Sequence, residues 1–472
     1  MTQTPPWQLS ASDLAGLTRS GRLDAEEAVA SAVERMRAVN LDLNAVVVDM
    51  GDAAIERARA LDKARVDGAE PGPLHGVPVT IKTNVDQKGQ ATSNGLVALK
   101  DFIAPDDAPL VRMLESAGAV VIGRSNVPEL SYRLDTDNPL HGRTHNPWGR
   151  HLTAGGSSGG AGSAVMAGMG ALAHGSDIAG SLRCPAMANG GVTLKPGLGR
   201  VAAWNPSQKV ERGMLTQAMS VQGLITRHAR DLALAMPVII QPDPHDPYHV
   251  PLPWQGGAVE EPLRVGFTTE TFGLDLHPAL EHALHRAREA LGDAGYLVED
   301  ITPPDMRAIG TDGFRALMAE VALLMEEDIH KLGSPVIAEV MAGYMDIFPR
   351  CDAAEFQRLA GRRSHYARQW SLALQRHPLV LCPFMAQPTF GPDADRDVKA
   401  VMGRGFWVYG VNFTGLPAGY VSTGVADLPQ GPVPVGVQII GRRWREDLIV
   451  QAMAAIEDRL GSLCGRLWQQ MG

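Results

Sequence analysis

Hydrophobic positions along the chain switch repeatedly between helical spacing and short β-branched runs. Over residues 8–62 the spacing predicts helices. Val29, Val33 and Met36 share one face behind Asp24-Ala-Glu-Glu27, which reads as a capping box. Ala45-Val-Val-Val48 is β-branched and predicts a strand. Residues 76–81 (GVPVTI) predict a buried strand that ends at Lys82, followed by a helix at 109–117 and a strand at 119–122. A small-residue helix is expected from Ala161 to Ala173, and Val265-Gly-Phe267 opens a strand. Leu280, Leu284, Ala287 and Leu291 stand in register on a helix over 278–291. Residues 310–377 read as mostly helical. Gly419–Ser422 and Val435–Ile440 return to strand, and a last helix spans 446–459. Such interleaving predicts a single α/β domain over 1–472, a large mixed sheet covered by helices.

Composition narrows the function without naming it. Of the 472 residues, 45% are hydrophobic and 20% charged, an ordinary balance for a chain that buries a core. The net charge is −9 with no basic block, which argues against nucleic acid or an anionic membrane as partner. Cys184, Cys351, Cys382 and Cys464 are scattered and predict free thiols in a reducing compartment. The first residues lack the charged and apolar regions of a secretory signal, and no run of eighteen apolar residues occurs. A cytoplasmic protein is expected, with a homodimer left open. Pro-rich residues 242–253 predict a surface connection.

Two glycine-rich loops hold the candidate chemistry. His151-Leu-Thr-Ala-Gly-Gly-Ser-Ser-Gly-Gly160 surrounds two serines with glycines that let backbone approach a ligand. Gly175-Ser-Asp-Ile-Ala-Gly-Ser-Leu-Arg-Cys-Pro185 places another serine between an acid and a base. Gly156–Gly160 formally satisfies G-x-S-x-G around Ser158, but a nucleophile elbow needs a strand before it, and NPWGRHLTA is turn-rich. The Walker lysine of a phosphate loop is missing, and the glycines near Gly168 lie inside a predicted helix. His141, His145 and His151 sit among helix breakers with no accompanying carboxylates or cysteines, so no metal is expected. Cys184 is expected to pack the second loop rather than react. His282 and His285 read as part of a solvated helix face.

Taken with Gly76-Val-Pro-Val-Thr-Ile-Lys82, these loops resemble the amidase signature family. Flanking segments agree: Gly123-Arg-Ser-Asn-Val-Pro-Glu129, Leu194-Lys-Pro-Gly197, Thr414-Gly-Leu-Pro-Ala418 and Val437-Gln-Ile-Ile-Gly441. The resemblance spans about residues 8–460 and is weakest over 242–400. It implies a signature core over about 70–230, a variable helical substrate region over about 310–400, and a C-terminal return to the sheet over about 405–460.

The resemblance also implies roles. Ser181 would be the nucleophile, Ser157 a proton bridge following a cis peptide bond from Gly156, and Lys82 the general base. Chemistry makes sense of those types. A serine hydroxyl must lose its proton as it attacks. A lysine can take that proton only when uncharged, which demands burial away from carboxylates. The backbone N–H groups of Ile178, Ala179, Gly180 and Ser181 would form the oxyanion hole. Ser158, Asp177 and Arg183 would support the loop. No cofactor is implied, and the partner is a small-molecule amide or carbamate. The expected reaction is hydrolysis of the C–N bond of a linear carboxylic amide through an acyl-enzyme. Carbamate or ester hydrolysis, or service as the amidase-like subunit of a tRNA-dependent amidotransferase, are the alternatives.

Two positions depart from the family pattern. Ala179 stands where a glycine is usual, which requires an ordinary torsion there. Thr83 follows Lys82 in place of an aspartate. Residues 130–142, 200–215 and 310–400 are expected to select substrate. Met318, Met325, Met341, Tyr344, Met345 and Phe348 offer either an apolar pocket or plain core.

Overall fold

The computed structural model describes residues 4–259 and 261–472. Among them, eleven strands form one mixed sheet. They are β1 (Val46–Asp49), β2 (Pro78–Lys82), β3 (Val120–Ser125), β4 (Leu172–Asp177), β5 (Val192–Lys195), β6 (Val221–Thr226), β7 (Arg264–Phe267), β8 (Leu297–Asp300), β9 (Leu379–Cys382), β10 (Ala418–Leu428) and β11 (Gly431–Gly441). Their spatial order is β1-β3-β2-β4-β6-β5-β10-β11-β9-β7-β8. Parallel pairing joins β3 to β2, β2 to β4, and β9 to β7 and β7 to β8; the remaining neighbours run antiparallel.

Helices cover both faces, which explains why the central strands read as continuous rather than alternating hydrophobic runs. Every residue of β2, β3, β4 and β5 is buried. One apolar cluster packs Leu232, Leu284 and Ile449 onto one side of the sheet. Another gathers Trp148, Phe314, Trp370 and Trp407 around the helical region on the other side.

Most predicted elements are present, and the differences have physical causes. The helix Ala25–Leu43 begins after Asp24, yet the Asp24 side chain makes no cap. The Asp62 carboxylate takes the N–H groups of Ala25 and Glu26 instead, both at 2.9 Å. A cap supplied from a neighbouring helix leaves no local signature. The small-residue helix runs only over Gly159–Met166, and Leu172–Asp177 is strand β4. Gly168 and Gly170 both have positive φ, and Gly170 lies where the chain turns into the sheet. A further helix, Cys464–Met471, closes the chain.

Candidate active site

Two neighbouring parallel strands deliver the first groups. Lys82 is the last residue of β2, and Ser176 and Asp177 close β4 beside it. The Gly155–Gly160 loop leads into the helix Gly159–Met166, and the 178–182 loop leads into the helix Arg183–Asn189. A backbone hydrogen bond from Ser158 N to Ser181 O, 3.2 Å, ties the two loops together.

Lys82 is fully buried. Its Nζ lies 2.7 Å from Ser157 Oγ and 3.0 Å from Ser176 Oγ. Among the described residues it makes no ion pair with any carboxylate. Burial lowers its pKa from the ordinary lysine value to about 7, against a weaker opposing pull from the charge of Asp177. His174 stands behind it: its Nδ1 accepts from the Lys82 backbone N–H at 3.4 Å, and its Nε2 is 2.9 Å from Gln222 Oε1. Burial drops the His174 pKa to about 3, so no second positive charge accompanies the lysine.

The peptide bond between Gly156 and Ser157 is cis, as the resemblance implied. Ser158 faces β4, with its Oγ accepting from Ser176 N at 3.3 Å. Ser181 Oγ has no hydrogen-bond partner among the described residues, and two cavities both reach Ser181.

Asp177 and Arg183 shape the 178–182 loop from beneath. Asp177 Oδ1 accepts from Gly180 N at 2.8 Å, and Oδ2 accepts from Leu182 N at 3.1 Å. Arg183 grips both oxygens of the same carboxylate, each at 3.1 Å, and donates also to Val408 O, Asn412 Oδ1 and Gln438 Oε1. Burial alone would raise the Asp177 pKa, but the Arg183 charge and its hydrogen bonds outweigh that and hold it at about 2.

That geometry corrects the expected set of oxyanion donors. The Gly180 N–H is spent on Asp177, whereas those of Ile178, Ala179 and Ser181 have no acceptor among the described residues. Positive φ falls on Gly180, at 101°, and not on Ala179. A Cβ on Gly180 would lie 2.4 Å from Val408 Cγ1 and 3.0 Å from Cys184 Sγ. The alanine therefore occupies the tolerant position of the pair, and Cys184 packs under the loop.

Sequence reasoning missed Ser176, Asn84, His174 and Gln222 around the lysine, and Asn412 and Gln438 around Arg183. Asn84 donates to Ser176 Oγ at 3.1 Å, completing the surroundings of Lys82. A usable signal existed for Gln438, a lone polar residue inside Val437-Gln-Ile-Ile-Gly441. Such a side chain must find a buried partner.

Two cavities meet at Ser181. The first is a narrow apolar slot of about 50 Å³ whose walls include Leu317, Met318, Tyr344, Val408 and Tyr409. The second is a wider, more polar chamber of about 480 Å³, reached by Asn84, Trp204, Arg212, Gln222 and Met325. The substrate-selecting segments expected from sequence thus contribute, but 401–409 does too. Of the six Met and aromatic positions, Met318 and Tyr344 line the slot and Met325 the chamber, while Met341 and Phe348 are core and Met345 packs half-buried against it. Beside the slot, Asp135, Asp393 and Asp395 surround Arg133 and Arg143, with Arg133 Nη2 2.7 Å from Asp395.

The sequence model of the Amidase family matches residues 27–450. The chain belongs to the amidase signature family. It is 44% identical to an indoleacetamide hydrolase of Bradyrhizobium diazoefficiens, over 99% of this chain and 89% of that one. To a glutamyl-tRNA(Gln) amidotransferase chain of Moorella thermoacetica it is 30% identical, over 96% of each chain. Among solved structures it superposes on 6-aminohexanoate cyclic dimer hydrolase with a TM-score of 0.82 and 26% identity, covering 98% of this chain and 99% of that one. Amide C–N hydrolysis is accordingly the reaction of this amidase signature protein. No described helix is long and apolar enough to cross a membrane.

Proposed function

We propose that this chain hydrolyses a small primary arylacetamide, indoleacetamide foremost, through an acyl-enzyme on Ser181. The observation that carries the acyl-enzyme chemistry is a fully buried Lys82 whose Nζ sits 2.7 Å from Ser157 Oγ with its pKa brought to about 7. Near neutral pH much of that amine is uncharged and can accept a proton. As Ser181 Oγ attacks the amide carbon, its proton passes to Ser157 Oγ while the Ser157 proton moves to Lys82 Nζ. The N–H groups of Ile178, Ala179 and Ser181 receive the oxygen as it gains charge. Returning along the same route, the proton reaches the departing nitrogen. Water then attacks the Ser181 ester under the same base and releases the acid.

The acyl group is assigned to the apolar slot. Its apolar walls, among them Tyr344, Leu317 and Val408, suit an uncharged acyl group, and at about 50 Å³ the slot must widen to take an aromatic ring, since a cavity of about 150 Å³ holds benzene. The 44% identity to an indoleacetamide hydrolase supports the same choice over amidotransferase work. Residues 70–230 would carry the chemistry and 310–400 the selective wall. Four free cysteines, three of them buried, favour a cytoplasmic setting.

The test is turnover of indoleacetamide with intact-mass detection of an acyl adduct, alongside matched carbamate and ester substrates. Hydrolysis by the wild type and none by Ser181→Ala is expected. Full activity in that variant would defeat the assignment.

A further inference from the structure

A primary amide releases ammonia, which like one water needs only about 10–15 Å³ of cavity space open to a water-sized sphere. The polar chamber that also reaches Ser181 measures about 480 Å³. Its charged side chains are three. Glu320 is buried and committed, accepting from Leu215 N at 2.8 Å, Thr216 N at 2.9 Å and Thr216 Oγ1 at 2.9 Å. Glu211 is exposed and takes the Gln208 amide at 2.9 Å. Arg212 is half-buried, and among the described residues it has no carboxylate within ion-pairing distance. Its Nη1 donates to Ser220 Oγ at 3.2 Å, and that serine also lines the chamber. Asp246, a further acid whose charge acts on Arg212, is occupied by the backbone N–H groups of Ala203 and Tyr248, both at 2.9 Å. A partly desolvated guanidinium with free donors is a ready partner for a planar anion.

Resting on the reading of Ser181 and the acyl slot above, we infer that this enzyme also cleaves arylacetyl conjugates of amino acids, with Arg212 holding the carboxylate of the departing amine. The bond broken is the same amide C–N bond. Ser181 Oγ bonds to the acyl carbon, and the nitrogen leaves as the free amino acid with the proton returned through Ser157. Water then converts the Ser181 ester to the arylacetate. Arg212 takes no part in proton transfer; it is a specificity-determining residue for the leaving group.

The experiment uses the full chain with indoleacetamide, with indole-3-acetyl conjugates of glycine, β-alanine and γ-aminobutyrate, and with N-alkyl amides of matching length that lack the carboxylate. At low salt, at least one conjugate should exceed its neutral counterpart about tenfold in kcat/KM, as one charge-assisted contact allows. That preference should shrink at high salt. It should vanish in Arg212→Gln, mostly through KM, and return in part in Arg212→Lys. A merely structural role for Arg212 would move charged and neutral substrates alike. The inference is overturned if no conjugate outruns its neutral partner, or if the preference survives Arg212→Gln. Cleavage of indoleacetamide without any such preference sinks this inference alone. Cleavage of a conjugate with indoleacetamide inert sinks the primary-amide reading alone.

Discussion

Lys82 Nζ and Ser157 Oγ stand 2.7 Å apart with both side chains buried, and no described carboxylate forms an ion pair with the lysine. The sign of the pH dependence follows. With the lysine pKa lowered to about 7 by burial, the protonated amine dominates below that value and cannot accept a proton. We expect kcat/KM to rise with pH, reach half its limit near about 7, and stay level above until other groups titrate. A profile that falls with rising pH through this range would contradict the base assignment.

Removing the base should matter most where the leaving group is poorest. Lys82→Ala is expected to lose about 10²–10⁴-fold in kcat for indoleacetamide. The loss should be smaller for a p-nitrophenyl ester of the same acid, whose leaving group needs no proton. Paired steady-state kinetics on the two substrates make the comparison. Equal losses on both would point to a collapsed site rather than a missing base.

Gly180 and Ala179 should respond oppositely to exchange. Gly180→Ala places a Cβ against Val408 at a φ of 101°, so the loop must shift. The neighbouring donors of Ile178, Ala179 and Ser181 move with it, and a loss of about 10²–10³ in kcat is expected, comparable to that of one oxyanion donor. Ala179→Gly should keep activity within a few-fold. Crystal structures of both variants, beside their kinetics, provide the check.

Asp177→Asn leaves the Arg183 charge buried without its carboxylate. A destabilisation of about 3–5 kcal/mol is expected, read from the midpoint of chemical denaturation. Because Asp177 titrates at about 2 when folded and at its ordinary 3.8 otherwise, its contribution is complete above 3.8. It fades as pH falls toward about 2. The Asn variant should therefore show a weaker acid dependence of stability over that window.

Narrowing the acyl slot should separate ring-bearing from small substrates. Leu317→Phe adds bulk to one wall of a cavity of about 50 Å³. We expect about a tenfold drop in kcat/KM for indoleacetamide relative to acetamide, within the range one pocket contact commands. Parallel drops for both amides would place the acyl group elsewhere.

Elements with strong local causes are legible in the chain before it folds. The helix over 278–293 carries its own apolar stripe, and the run ending at Lys82 is hydrophobic on both faces because both are covered. Lys82, Ser157 and Ser181 are legible as candidates too, since Gly76–Lys82 and the two glycine-rich loops together resemble the pattern of the family. Which groups those side chains meet is settled only by folding. The cap from Asp62, the Gly180 N–H turned to Asp177, and the partners His174 and Gln222 behind the lysine all come from residues distant in sequence or from loop torsion. Hydrogen bonds to such partners leave no periodic trace along the chain. The division of the cavity into an apolar slot and a polar chamber is of the same kind, built from segments as far apart as 131 and 409 that meet only in the folded protein.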